Sequence, residues 1–354
     1  MQKWIYWFEE LSKDFYDVVG KKCANLGELR RAGFPTPPGF ALSVGAYEMF
    51  MKESGVIEEI RKVFASFEAD PNDPADLPKW DKVGEEVRGL VESTKMPGNM
   101  EEIIARYYNE LCDKTGMPDM SVSTRSAGPS SHPGQYESYL HVKGRDDVLQ
   151  NVKKVWSSTF NQRSIVARAR KNLPLEFDPI GVAVMKMVDA KSAGVMFTLN
   201  PINGDVSKIV LEANWGLGEG VVSGSTGVDE WMVDKVTFDI VKIKCQTKLT
   251  QFEFDPNIGK PAYVGVPLEK QNAPCLERQE VIRISEIGKE MEKYFGAAQD
   301  IEWAVDKDLP FPQNILILQT RPETTVSKRE AKSVTESGTS GLDYATRLFS
   351  SGKK

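Results

Sequence analysis

The stretch DIEWAVDKDLPFPQNILILQTRP, residues 300–322, decides how the fold is read. Its two halves, 300–306 and 314–322, read as the strands of a β-hairpin folded about Pro310 and Phe311. Period-two alternation sets Glu302 on the opposite face from Ile301 and Trp303 and puts Gln319 and Arg321 on a shared face. The fold about the turn brings Glu302 roughly opposite Gln319. A carboxylate, an amide oxygen and a guanidinium then occupy one patch of sheet. That set suits Mg²⁺ with a polyphosphate, since Mg²⁺ takes hard oxygen ligands and arginine pairs with phosphate oxygens. The plainer reading, the polar face of an exposed hairpin, stands beside it.

Moving toward the N-terminus, β-branched and apolar runs at 181–188, 195–199 and 208–213, followed by alternation over 231–254, read as strands. A helix is expected over 281–295, burying Ile284, Ile287 and Met291 and stopping at Gly296. Another is expected from Asp146 to about Lys171 as one long element, with Val148, Val152, Val155, Trp156 and Phe160 along one stripe. The segment STRSAGPSSHPGQ, 123–135, is dense in Gly, Pro and Ser and reads as a loop with Arg125 as its fixed cation. Residues 55–118 are charged and helical in pattern, broken by the surface loop ADPNDPADLP at 69–78. A short helix runs from Lys21 to Ala32, with Lys22 in its first turn and Gly33 and Pro35 as its stop. The last residues, from Ser327, are rich in Ser, Thr, Gly and Lys and read as a linker or tail, in which LDYATRLF at 342–349 carries one apolar face.

The 354 residues contain 40% hydrophobic and 27% charged side chains, ordinary globular usage with room for two lobes. A net charge of -6 and the lack of a basic run argue against nucleic acid or an anionic membrane as partner. No stretch has the length and apolarity of a membrane span, and a cytoplasmic protein is expected. Cysteines at 23, 112, 245 and 275 form no CxxC pair and have only His132 and His141 to complement them, which speaks against structural zinc. Neither GxxxxGK[ST] nor GxGxxG occurs, so a nucleotide site here is neither a P-loop nor a dinucleotide fingerprint.

VGKKCANLGELRRAGFPTPPGFALS (19–43) resembles the opening of phosphoenolpyruvate synthases and pyruvate phosphate dikinases. STRSA (123–127) with PGQ (133–135), SAGVMFTLNP (192–201), WGLGEGVVSG (215–224), VDEWMV (228–233), QDIEWAVD (299–306) and ILQTRPET (317–324) follow that family in the same order. The resemblance implies an α+β, ATP-grasp-like, two-lobed fold with a helical insertion. Its N-terminal lobe would span 1–180, with the insertion at about 55–118 and a phosphate-lid loop at 123–135. A second lobe would span 181–326 and a tail 327–354.

Carried over by motif, the resemblance implies that Lys22, Arg125 and Arg321 hold ATP phosphates, with Gly134 and Gln135 in the closing loop. Glu302 and Gln319 would hold Mg²⁺, Met185 and Met187 would line the adenine pocket, and Glu219 would touch ribose or metal. Three departures stand out. The 126–135 segment is short and contains His132, the expected GGK is Gly20, Lys21, Lys22, and no histidine-bearing swivelling domain follows residue 325. The resemblance therefore implies a companion subunit that carries the phosphate-accepting histidine, in a hetero-oligomer. Within the family, the branch divided this way is phenylphosphate synthase, which phosphorylates phenol. A split phosphoenolpyruvate synthase, a rifampicin-phosphotransferase type and a non-catalytic nucleotide-binding regulatory subunit are the alternatives.

Overall fold

Strand GVAVMK at 181–186 is buried along nearly its whole length, because both of its faces are covered. In the computed structural model, which describes residues 3–128 and 136–323, the chain separates into two units. The first comprises Met1–Lys191, Phe252–Val264 and Ala304–Gln319; the second comprises Ser192–Gln251, Gly265–Trp303 and Thr320–Lys354.

Along the chain come β1 (Ile5–Trp7), α1 (Tyr16–Val19), α2 (Lys21–Arg31) and β2 (Gly39–Leu42). Four helices follow, α3 (Val44–Glu53), α4 (Val56–Ala65), α5 (Leu77–Ser93) and α6 (Gly98–Thr115), then β3 (Ser121–Ala127) and β4 (Ser138–Lys143). The first unit continues with α7 (Arg145–Ser157), α8 (Gln162–Arg170) and β5 (Gly181–Lys186). Next are β6 (Ala190–Phe197), β7 (Lys208–Trp215), α9 (Glu219–Val222), β8 (Asp229–Asp234) and β9 (Ile240–Lys244). The described chain closes with β10 (Thr250–Asp255), β11 (Lys260–Gly265), α10 (Leu268–Gln271), α11 (Arg278–Phe295), β12 (Gln299–Asp306) and β13 (Ile315–Pro322).

The sheet of the first unit has the order β1-β2-β5-β3-β4, and its pairs are antiparallel. Alternation along β5 sends Val182 and Val184 into a core with Phe40, Phe50 and Trp156. It sends Ala183 and Met185 to the other side, against Cys23, Ala24 and Leu26 of α2 and against Phe8 and Leu11. Helix α2 ends in a Gly33 cap with φ of 82°, where Phe34 N–H reaches Leu29 O at 3.0 Å and Gly33 N–H reaches Arg30 O at 3.1 Å.

Two expected elements are corrected. The segment expected as a loop at 123–135 is strand as far as Ala127, because β3 pairs with β4 on one side and β5 on the other. The long helix over 146–171 is two, because the chain leaves α7 through a tight 3₁₀ turn at Ser158–Phe160 and restarts with Asn161, whose side chain accepts from Ser164 N–H at 2.9 Å. The hydroxyls of Ser158 and Thr159 bond back to the carbonyls of Val155 and Trp156, and Arg168 donates to Thr159 O at 2.8 Å. Local side-chain bonding here outcompetes helical continuation.

In the second unit the strands belong to a six-stranded sheet of order β13-β12-β6-β7-β8-β9. Helix α11 packs on one face, burying Val281, Ile284, Ile287 and Met291, and Gly288 lets it approach Met196 where a Cβ would fall 2.6 Å from the methyl carbon. On the opposite face Glu212 of β7 lies across from Glu230 of β8, and burial with that like charge raises the Glu212 carboxyl. The hairpin of 300–322 forms as β12 and β13, with Asp306 N–H on Asn314 O at 2.8 Å. Its residues are shared between the units, 304–306 and 315–319 in the first and 299–303 and 320–322 in the second.

His141 is structural. It sits at a bulge of β4 with φ of 57°, its ring packs on Phe254 at 4.8 Å, and its Nε2 is buried with no hydrogen-bond partner. Burial lowers its pKa against the pull of Asp189. Below the ordinary value of 6.5 the unfolded chain therefore binds this proton before the native state does. His141→Asn, which tolerates the positive φ, is expected to lessen the loss of stability that sets in as pH falls through 6.5, read from urea midpoints of both proteins between pH 7.5 and 5.5. Parallel pH profiles would disprove it.

Gly20 gives a second prediction. Its φ is 77° and an added Cβ would lie 2.0 Å from Ala127 O, so Gly20→Ala should cost about 2–4 kcal/mol in chemical unfolding. An unshifted midpoint would show that the contact gives way.

Candidate functional site

In the first unit the site begins where α2 meets the end of β3. Gly20 N–H closes α1 on Tyr16 O at 3.0 Å, and Lys21 N–H, the next amide, donates to Gly128 O at 3.2 Å. The first turn of α2, with Lys22, is thereby fastened to the residue that follows β3. The additional lysine of the Gly20-Lys21-Lys22 sequence is exposed and helical, and its backbone carries this fastening. The adjacent Cys23 thiol is buried and pushed up to about 12, with Lys22 and Arg125 pulling it the other way. Both cations thus act on the same small region.

Arg125, on β3, donates from Nη1 to Leu318 O at 3.1 Å and from Nη2 to Gln319 Oε1 at 3.2 Å. Two residues nominated from separate motifs are thereby brought together within one unit. Neither of these two acceptors is charged, and together they fix the orientation of the guanidinium.

Met185 is 3% exposed and packs with Phe8, Leu11 and Ala24, with Leu318 at the edge of that cluster. Met187 is half-buried, and its N–H donates to Ser121 O at 2.9 Å, while Lys186 N–H donates to Pro38 O at 2.9 Å. These amides are committed inside the unit. Asp189 is held by Lys307 through its backbone carbonyl at 2.8 Å and its carboxylate at 3.1 Å, so the chain following β5 is tied down on both sides.

In the second unit Arg321 reaches Asp300 Oδ2 with Nε at 2.7 Å and Nη2 at 2.6 Å. Asp300 was missed in the sequence, although it stands two residues before Glu302 and so shares its face of the strand. Burial raises the Asp300 carboxyl, Arg321 opposes that rise, and Glu302 and Glu323 add to it. Glu302 is half-buried, and Glu219 is exposed at the start of the single turn α9. Gly134, Gln135 and His132 lie outside the described residues, as does the 342–349 segment.

Among the described residues no three or more His, Cys, Asp or Glu converge as a preformed metal cage. Asp300 and Glu302, two residues apart on one strand of the second unit, are carboxylate donors of the kind Mg²⁺ takes, with phosphates and water completing its shell. The carboxyls of Asp300 and Glu302 repel one another, and a cation beside them would relieve that repulsion.

Residues 16–341 match the family model described as pyruvate phosphate dikinase, AMP/ATP-binding domain. The chain belongs to that family. Its mixed helix-and-sheet architecture is the ATP-grasp-like one of that domain. A probable phosphoenolpyruvate synthase of Staphylothermus marinus is 40% identical over 362 residues, covering 95% of this chain and 43% of the relative. One from Methanocaldococcus jannaschii is 37% identical, covering 92% of the chain and 27% of the relative. The phosphoenolpyruvate synthase of Aeropyrum pernix is 33% identical, covering 92% and 43%. The chain spans less than half the length of these three relatives. Among the described residues, no helix of this family member is long and apolar enough to cross a membrane.

The Arg125 bonds are open to test. Arg125→Lys keeps the charge but cannot donate to both acceptors in the same fork geometry, and should lower unfolding stability by about 1–2 kcal/mol. Stability equal to that of the parent would mean that the two bonds do not hold in solution.

Proposed function

We propose that this chain binds MgATP and prepares it for transfer of a pyrophosphoryl group to a histidine supplied by another segment or by a companion subunit. Lys22, Arg125 and Arg321 hold the phosphates, with Gly134 and Gln135 in the closing loop. Glu302 and Gln319 hold the cation, while Glu219, Met185 and Met187 serve the nucleoside. Membership of the dikinase ATP-binding family supports this reading. The observation that carries it is the fastening of Arg125 to Leu318 and Gln319 in the same unit as Lys22.

The histidine nitrogen attacks the β-phosphorus, the bond between that phosphorus and the oxygen bridging it to the α-phosphate breaks, and AMP leaves. The protein's task is to place charge rather than to form bonds, since phosphoryl transfer needs little covalent help. Arg125, held on β3 by Leu318 O and Gln319 Oε1, brings a cation to the phosphate oxygens. Lys22 adds a point charge at the start of α2, where the helix end also favours anions. When bound, Mg²⁺ supplies neutralisation of the developing phosphate charge. The names of the relatives favour pyruvate over phenol as the final acceptor.

The test follows AMP. With MgATP and a histidine-bearing phosphocarrier partner, the chain should release AMP, and Lys22→Ala or Arg321→Ala should cut the rate by about 100-fold or more while far-ultraviolet dichroism is retained. Release of ADP alone, or full activity in both variants, would overturn the assignment. Adding pyruvate or phenol to separate reactions identifies the acceptor.

A further inference from the structure

The second unit holds a buried ionic cluster that none of the roles above uses. Lys248 and Asp229 are both fully buried, with Nζ 2.6 Å from Oδ1. Asp229 also accepts from the amides of Gln246 at 3.2 Å and Cys275 at 2.9 Å. Lys248 Nζ donates to Gln246 O at 2.9 Å and stands 3.5 Å from Cys245 Sγ.

Cys245 is the exposed one of the four cysteines, and its thiol donates to Asn272 O at 3.3 Å. A solvent-reachable sulfur and a buried primary amine are therefore neighbours, three residues apart along the chain that links β9 to β10. The other nearby thiol, Cys275, is 1% exposed, and burial with Asp229 beside it raises it well above its ordinary value. Burial and Asp229 raise the Cys245 thiol as well, so what separates the two is access: peroxide reaches the exposed Cys245 and not the buried Cys275.

We propose that Cys245 is an oxidation site at which hydrogen peroxide produces a sulfenic acid that Lys248 captures as a sulfenamide. Peroxide transfers one oxygen to Sγ, its O–O bond breaks, the thiol becomes S–OH and one water leaves. The Lys248 ammonium passes a proton to Asp229, its partner at 2.6 Å. The freed lone pair attacks Sγ, the S–O bond breaks, and the hydroxyl departs with a second nitrogen proton as water. Thiol, amine and peroxide thus give one S–N bond and two waters. The buried ion pair becomes a neutral carboxyl and a neutral nitrogen, forms that a fully buried site accepts without a charge penalty. Thiol reductants reopen the link, because the sulfur has not passed beyond the reversible oxidation states.

Peptide mapping of the peroxide-treated, folded full chain, with free thiols alkylated and no reductant before trypsin, reads this directly. The expected product is a peptide uncleaved at Lys248, unalkylated at Cys245 and two hydrogens lighter, which reverts on treatment with dithiothreitol. Cys275, in the peptide 271–278, should remain alkylated. Cys245→Ser, which leaves the ion pair intact, should lose the product, and Lys248→Arg should instead leave a sulfenic acid that dimedone traps. A peptide pair joined through Cys245 and Cys275 would overturn the proposal. So would a product retaining an added oxygen, irreversible oxidation with normal cleavage at Lys248, or no reaction.

Discussion

Everything described in the first unit depends on a near collision of backbones at Gly20. The turn between α1 and α2 passes so close to the end of β3 that there is no room for a side chain, and Lys21 N–H binds Gly128 O across the gap. This contact sets the start of a helix and the end of a strand in one place. A lysine one residue into that helix and an arginine within that strand then need no further device to be neighbours. The constraint is steric before it is electrostatic, which is why a glycine carries it.

Much of the fold was legible because periodicity reports which face is wet. Apolar β-branched runs marked β5 and β7, alternation marked β12, and the Gly33 and Gly296 stops closed α2 and α11 where expected. The insertion of β5 between β2 and β3 was not legible, since pairing order is set by long-range packing and leaves no local trace. The break between α7 and α8 was missed for a different reason: an apolar stripe runs through it, and only the hydroxyls that bond backward reveal it.

The site shows the same division. Residue types and motif order named Lys22, Arg125, Gln319, Glu302 and Arg321, but partners separated by 193 and 194 positions cannot be read from a linear pattern. Asp300 was readable in principle, since the alternation that selected Glu302 selects it equally. It was passed over because its role appears only with Arg321 bonded to it. The Lys248 and Asp229 pair gave no sequence signal, as each looks like an ordinary surface charge until its burial is known.

The two arginines are held in opposite ways, and that difference has a consequence for control. The bonds of Arg125 to a carbonyl and an amide do not themselves respond to proton concentration. The grip on Arg321 is a clasp, because it depends on the ionisation of Asp300, a carboxyl already raised by its surroundings. A proton or a competing cation on Asp300 unfastens it. The pair of Arg321 with Asp300 therefore loosens as acidity rises, while the bonds from Arg125 to Leu318 and Gln319 keep their strength.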